Sequence, residues 1–239
     1  MSELFHIPVM VSEVMEFLRV EKGGFYVDCT LGDGGHSLAI LQKEGCVLGI
    51  DRDHEAVASA SERLSQHSKR FRAEVARFSS LTEVAGVEIG SVDGIVMDLG
   101  VSSRMIDDSY RGFSYRHEGP LLMTMEHVGE NACDVVNTKS ARELTSIFKK
   151  YGEERNAPRI ARAIVDARSR RPIKTTIDLA DIIEKAVGTH LPQKSKARIF
   201  QALRIYVNNE IEELHRGLEG AVRILRPGKR LCAISYHSL

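Results

Sequence analysis

A glycine-rich turn between an apolar run and a helix-period segment constrains this chain more than any other feature. The run Phe25–Val27 consists of strand formers and ends at Asp28, and the cluster that follows contains Gly32, Gly34 and Gly35. A segment with helical apolar spacing comes next, at Leu38, Ile40 and Leu41. Glycines allow a tight turn and close approach to a ligand, and the first helical turn presents unpaired N–H groups. The pattern predicts a nucleotide-binding crossover, with an ordinary turn of an α/β protein as the alternative.

Two further apolar runs also end in an aspartate. Cys46–Ile50 is followed by Asp51, and Val92–Asp98 carries its acid at the carboxyl end. Ligands of open parallel sheets bind beyond the carboxyl ends of strands, where an acid after the second strand accepts hydrogen bonds from ribose hydroxyls. Asp51 is therefore the candidate ribose ligand, with a helix cap, a role that Asp53 could also fill, as the alternative. Asp98 is a separate candidate for the ligand site, without an assigned contact. Phe78 is able to cover an adenine ring, but the residues alone favour a core role.

The second half of the chain has helical periodicity. From 138 to about 225 nearly every segment has helical apolar spacing, and the last of these is predicted to end at Pro227-Gly228, before a strand at Arg230–Tyr236. A helical block between strands of one sheet indicates an insertion. Between Arg155 and Lys174 seven basic residues accompany one acid, which makes this block a candidate surface for a nucleic-acid backbone or a solvated face.

Length and composition narrow the class of protein further. The 239 residues suit one large domain, or one domain with a smaller second one. No apolar run has the length of a membrane span, so a cytoplasmic protein without membrane contact is expected. The four cysteines are far apart and lack a Cys-x-x-Cys pair, which favours reduced thiols over a metal site: Cys29, Cys46, Cys133 and Cys232.

The identity of the nucleotide depends on one missing glycine. A dinucleotide site requires Gly-x-Gly-x-x-Gly, whereas Ser37 occupies the position of the third glycine. This weakens the case for NAD. A glycine-rich first turn with acids closing the second and fourth strands also describes sites for S-adenosylmethionine (SAM).

Many ordered motifs resemble one family. They are His6-Ile-Pro-Val, Asp28-x-Thr-Leu-Gly-x-Gly-Gly-His36, Asp51-Arg-Asp53, Asp98-Leu-Gly-Val-Ser-Ser103, Arg111-Gly-Phe-Ser114, Tyr151-Gly-Glu-Glu-Arg155, Phe200-Gln-Ala-Leu-Arg-Ile205, Val207-Asn-Asn-Glu210 and Ser235-Tyr-His-Ser-Leu239. Together they resemble the RsmH (MraW) family of ribosomal small-subunit RNA methyltransferases, from His6 to the last residue. The resemblance implies a Rossmann-like SAM-dependent methyltransferase sheet, at 1–104 and 208–239, with an inserted all-helical, RNA-facing domain at 105–207.

The resemblance also implies a reaction and its partners. The methyl group of SAM would be transferred to the exocyclic N4 of a cytidine in the decoding region of 16S rRNA. Either 16S rRNA or the small ribosomal subunit is the expected partner. The oligomeric state is left open, with a homodimer among the options.

Carried over by position, the resemblance implies a set of site residues. The expected cofactor contacts are Gly34, Gly35, His36, Asp51 on the ribose, Phe78 and Asp98 near the adenine, and Met105. The candidate catalytic residues, which would accept hydrogen bonds from the reacting amine, are Asp98, Ser102, Ser103 and His237.

The chain also departs from the family pattern. Arg104-Met105 replaces Pro-Gln, whose glutamine contacts SAM, and Met105 lacks its hydrogen-bonding groups. Leu122 and Thr124 replace an acid and a base. Family members continue past His-Ser-Leu, so a sheet without its last strands and with an exposed edge is expected. Two alternatives therefore stay open: a non-catalytic rRNA-binding relative, and an NAD-dependent oxidoreductase, against which Ser37 and the basic insertion count.

Overall fold

A computed structural model describes residues 8–84, 86–126, 128–188 and 192–236. The chain divides into two compact units, Met1–Gly100 with Ile211–Leu239, and Val101–Glu210. Within the described ranges, no helix is both long enough and apolar enough to cross a lipid bilayer.

The secondary structure alternates between strands and helices in the first unit and is helical in the second. The strands are β1 Phe25–Asp28, β2 Cys46–Asp51, β3 Phe71–Val75, β4 Val92–Asp98 and β5 Leu225–Ile234. The α-helices are α1 Val11–Leu18, α2 Gly35–Gln42, α3 His54–Arg63, α4 Ser103–Asp107, α5 Ala132–Thr138, α6 Ala141–Gly152, α7 Ala157–Arg168, α8 Thr176–Val187, α9 Pro192–Val207 and α10 Glu210–Ile224. Short 3₁₀ helices occupy Ser65–His67, Phe78–Glu83 and Ser109–Arg111.

The first unit is a parallel sheet in the order β3-β2-β1-β4-β5. Because side chains alternate across a strand, neighbouring residues of β1 enter different cores. Tyr26 packs with Val14 and Ile40 on one face, whereas Val27 packs with Met97 and Ile224 on the other. Both faces of the central strands are covered, which explains why their sequences are continuous apolar runs.

The last helical stretch ends earlier than the sequence predicts. It divides at Asn208–Asn209, where Asn209 has a φ of 52°, and α10 then ends at Ile224. Pro227 and Gly228 lie inside β5, since the β4–β5 register passes from Val92↔Leu225 to Gly94↔Arg230. A bulge of this kind accommodates a proline, which cannot donate to the strand ladder.

The second unit is built from α4–α9. Its core combines residues from α5–α9, and its described residues include one antiparallel bridge, between Pro120 and Thr175. Three of its helices begin with a capping box, in which the N-cap side chain and an acid three residues later bond each other's backbone N–H. The N-cap residues are Asn131, Ser140 and Thr175.

Candidate active site

Three carboxylates end three neighbouring strands. Asp51 closes β2, Asp28 closes β1 and Asp98 closes β4, and these strands are adjacent in the sheet. The chain changes direction of winding between β1 and β4, because β2 lies on one side of β1 and β4 on the other. Crevices at such switch points are where open α/β sheets bind ligands.

The glycine turn after β1 depends on two different properties of glycine. Gly34 has a φ of 75°, a left-handed conformation, and its N–H donates to the Leu31 carbonyl at 2.7 Å. Gly35 begins α2, and a Cβ there would lie 2.4 Å from Cγ of Pro8. The first glycine therefore satisfies a backbone requirement, and the second allows the close approach of Pro8.

Asp51 holds the glycine turn through backbone hydrogen bonds. Its Oδ2 accepts from the N–H of Gly32 and its Oδ1 from the N–H of Asp53, both at 2.9 Å. Burial raises its pKa to about 6 against the opposing effect of these two bonds. The cap of α3 is Asp53, whose carboxylate accepts from the N–H of Glu55, so the helix-cap alternative does not apply to Asp51. Each Asp51 oxygen keeps a second lone pair for a ligand hydroxyl.

His36 and Asp98 form a polar pair with buried side-chain atoms that lack a hydrogen-bond partner within the described residues. His36 is 4% exposed, neither of its ring nitrogens has a hydrogen-bond partner there, and Nε2 lies 3.8 Å from Oδ2 of Asp98. Asp98 Oδ1 is likewise buried without a partner in that part of the chain, whereas its N–H donates to Thr30 Oγ1 at 2.7 Å. Buried polar groups are normally hydrogen-bonded, so this pair fits a polar ligand such as SAM.

Two polar residues beneath this pair are absent from the set expected from the sequence. Asp28 is buried, which raises its pKa, and it accepts from Ser37 Oγ at 2.8 Å. Thr30 supplies the hydroxyl that fixes the backbone of Asp98. The sequence did contain a signal for both residues, because Asp28 and Thr30 belong to the Asp-x-Thr segment at the end of β1.

Phe78 begins the 3₁₀ helix next to the end of β2. The N–H of Ala76 donates to the carbonyl of Asp51 at 2.9 Å, which places the following residues beside that strand end. The Phe78 ring is partly buried and packs against the core that includes Leu81. It therefore fills core space and also keeps an exposed part.

The remaining predicted residues belong to the second unit or lie outside the described residues. Ser102 caps α4, with its Oγ accepting from the N–H of Met105 at 3.3 Å, and Ser103 is the first residue of that helix. The Met105 side chain is buried, at 4% exposure. His237 lies outside the described residues.

Most of the basic residues between positions 155 and 174 of the second unit are exposed. Arg155, Arg159 and Arg162 are all exposed, along α7 and the loop before it. Lys196, by contrast, is buried and pairs with Glu184. The arginines at the start of α7 are therefore accessible, as is most of the stretch from 155 to 174.

The sheet order and the glycine turn define a Rossmann-like nucleotide-binding protein. Residues 3–239 match the model of the MraW methylase family. The chain is 45% identical over 242 residues to "Ribosomal RNA small subunit methyltransferase H" of Carboxydothermus hydrogenoformans, covering 99% of this chain and 78% of the relative. The protein of that name from Methylococcus capsulatus is 49% identical over 237 residues, covering 96% of this chain and 79% of the relative.

The chain belongs to the MraW methylase family, and it is a SAM-dependent methyltransferase. The resemblance and the fold class predicted from the sequence are thereby confirmed. Membership also decides between the two cofactors considered for the glycine turn, in favour of SAM over NAD.

Proposed function

We propose that this chain transfers the methyl group of SAM to the exocyclic N4 of a cytidine in the decoding region of 16S rRNA, in the cytoplasm. The observation that carries the proposal is the identity of 44–49% with proteins named as ribosomal RNA small subunit methyltransferase H, over nearly the whole chain. The substrate would be 16S rRNA itself or the small ribosomal subunit.

The first unit offers groups for each part of the cofactor. When bound, SAM supplies an electrophilic methyl group on its sulfonium. Asp51 would accept hydrogen bonds from the ribose hydroxyls, because its carboxylate oxygens keep free lone pairs. Gly34, Gly35 and His36 would line the turn, and the partly exposed ring of Phe78 and the Asp98 carboxylate would lie near the adenine. The unused polar atoms of His36 and Asp98 support this placement.

Methylation of a cytosine amine requires help from the protein. The lone pair of N4 is delocalised into the ring, so the amine must be held in line with the methyl group while it loses a proton. We assign Asp98 as the acceptor of the hydrogen bond from the N4 amine. Further candidates are Ser102 and Ser103, from the same motif, and His237, from the last motif of the chain. Asp98 Oδ1 has no hydrogen-bond partner within the described structure, so a contact to the cofactor and a contact to N4 are alternative uses of this oxygen. The cytosine must also leave its stack to reach the site.

The helical block at 105–207 would bind the RNA, while 1–104 and 208–239 would carry the cofactor. Phosphate contacts come mainly from arginine and lysine side chains, and they position a protein on RNA without reading sequence. The exposed Arg155, Arg159 and Arg162 supply such charges. Met105 would occupy the place of a cofactor-contacting glutamine and offer apolar contact only.

Labelled methyl transfer tests this proposal. Small subunits lacking the modification, and naked 16S rRNA in parallel, are incubated with the protein and methyl-labelled SAM, and the RNA is then digested to nucleosides. The expected product is N4-methylcytidine at one position. RNA binding without any transfer would instead favour the non-catalytic alternative, and label in another nucleoside would contradict the assignment to N4.

A further inference from the structure

A glycine in the middle of α10 lies directly against Phe78. A Cβ at Gly217 would lie 2.3 Å from Cδ2 and 2.8 Å from Cε2 of the Phe78 ring, and 3.4 Å from the Phe78 carbonyl oxygen. Real Cβ atoms essentially never approach another heavy atom so closely. The ring therefore occupies the space that any side chain at position 217 would need.

The helix itself does not require glycine at this position. Gly217 lies well inside α10, where glycine is less favourable than alanine, and its φ is not positive. Gly220, one turn further along the same buried face, is different, because a Cβ there would meet Leu81 and Thr82 at an ordinary 3.7 Å. Close approach of the Phe78 ring therefore explains the glycine at position 217, but no such contact explains the glycine at position 220.

A second contact holds the same segment against α10. Glu213 precedes Gly217 by one helical turn, is buried, and its Oε1 accepts from Nη1 of Arg77 at 3.2 Å. Arg77 directly precedes Phe78 in the chain. The helix therefore fixes the residue before the ring by an ion pair and the ring itself by a flat glycine surface.

We infer that Gly217 is a positioning residue for cofactor binding, which sets the location of the Phe78 ring at the adenine. This inference rests on the proposed contact between Phe78 and the cofactor. Phe78 follows the backbone hydrogen bond between Ala76 and Asp51, so its ring and the proposed ribose ligand lie at the same strand end. A methyl group at 217 would displace the ring and change the purine contact without touching the ligand.

The test compares two glycine-to-alanine changes on one helix. Calorimetry with S-adenosylhomocysteine is run on wild type, Gly217→Ala, Gly220→Ala, Phe78→Ala and the double variant Gly217→Ala/Phe78→Ala. We expect Gly217→Ala to weaken binding about tenfold through overpacking. The affinity of Gly220→Ala for S-adenosylhomocysteine should stay within about twofold of the wild-type value, which is the usual margin when the effects of single substitutions are compared. In methyl transfer, Gly217→Ala should raise KM for SAM and leave kcat at saturating SAM nearly unchanged.

The double variant separates positioning from general damage to the fold. With the ring removed, alanine at 217 meets no clash and favours the helix, so the Tm of Gly217→Ala/Phe78→Ala should equal or exceed that of Phe78→Ala, and the two should bind alike. Should Gly217→Ala alone fail to fold, recovery of folding in the double variant supports the inference, and failure there overturns it.

The outcomes distinguish this inference from the function on which it rests. If Phe78→Ala binds weakly but Gly217→Ala binds like Gly220→Ala, the positioning role is wrong and the proposed cofactor contact stands. If Phe78→Ala binds like wild type, the contact itself is wrong and the inference falls with it. A wild-type protein that binds no S-adenosylhomocysteine would overturn both.

Discussion

Asp51 is expected to make cofactor binding depend on pH. Burial raises the pKa of this carboxyl to about 6, although the N–H groups of Gly32 and Asp53 donate to its ionised form. Only the carboxylate can accept hydrogen bonds from both ribose hydroxyls, because protonation converts one oxygen into a donor. The affinity for SAM should therefore be highest above the pKa of Asp51 and should fall as the pH drops below that pKa.

The magnitude follows from the ionised fraction. When one of two states binds, the apparent dissociation constant is the intrinsic constant divided by the fraction in the competent state. With a pKa of about 6, nearly all Asp51 is ionised at about pH 8 and about one tenth at about pH 5. Binding should therefore weaken about tenfold over this interval.

The contribution of Asp51 to the stability of the folded protein changes with pH in the opposite direction to its contribution to SAM affinity. A carboxyl whose pKa is raised in the folded protein contributes stability that is present below its ordinary pKa and lost as the pH rises through about 6. From this group alone, the free protein becomes more stable in the acid interval in which SAM binding weakens. Protonation of Asp51 itself therefore does not unfold the protein in this interval, so its effect on binding and its effect on folding can be separated.

The assay is calorimetric titration with S-adenosylhomocysteine across that pH interval, in two buffers of different ionisation enthalpy. Near pH 5, binding should release about one proton. Asp51→Asn should bind weakly at all pH values with little slope, whereas Asp53→Asn, which alters the α3 cap, should keep the wild-type slope. A flat wild-type profile, or an unchanged slope in Asp51→Asn, would refute the reasoning.

Three further changes probe the rest of the molecule. Asp98→Asn should abolish methyl transfer, because the amide replaces an acceptor oxygen by a donor, and wild-type turnover in that variant would remove Asp98 from the mechanism. Arg159→Ala with Arg162→Ala should weaken RNA binding and reduce the salt slope by about two, with unchanged affinity for S-adenosylhomocysteine, and an unaltered slope would contradict the RNA-binding role. Asn208→Ala should destabilise the second unit by about 2–4 kcal/mol in chemical denaturation, because it removes the buried hydrogen bonds that the Asn208 amide makes to the N–H of Met125 and the carbonyl of Met123. A loss below about 0.5 kcal/mol would show that those groups find other partners.

Local sequence signals were sufficient for the elements that build the site. The run Val92–Asp98 is β4 from end to end, and the glycine turn leads directly into α2. These features depend on residues close together in the chain, where propensity and periodicity act. The break at Asn208–Asn209 was not predicted, because it depends on the Asn208 amide reaching Met123 and Met125, more than eighty residues earlier in the chain.

Contacts between site residues that are far apart in the chain could not be predicted from local sequence patterns, for the same reason. His36 lies beside Asp98 because β1 and β4 are neighbours, an adjacency that the strand order creates and no single segment encodes. The contact of Gly217 with Phe78 likewise joins a helix to a loop far away in sequence. A glycine inside a helical pattern indicates a close approach, but it does not reveal the partner.

The two edges of the sheet differ in how their acidic side chains are paired. At the amino edge, Asp93 is buried and well paired, since it accepts from the N–H of Phe25 at 3.0 Å and forms an ion pair with Arg226. At the carboxyl edge, Asp98 and His36 have no such partners among the described residues, although they are also largely buried. Unpaired polar groups cost free energy in a folded protein, and the same chain pairs an equivalent acid at the other edge. A ligand at this edge would supply the missing hydrogen bonds, and we therefore propose that SAM binding there stabilises the folded protein.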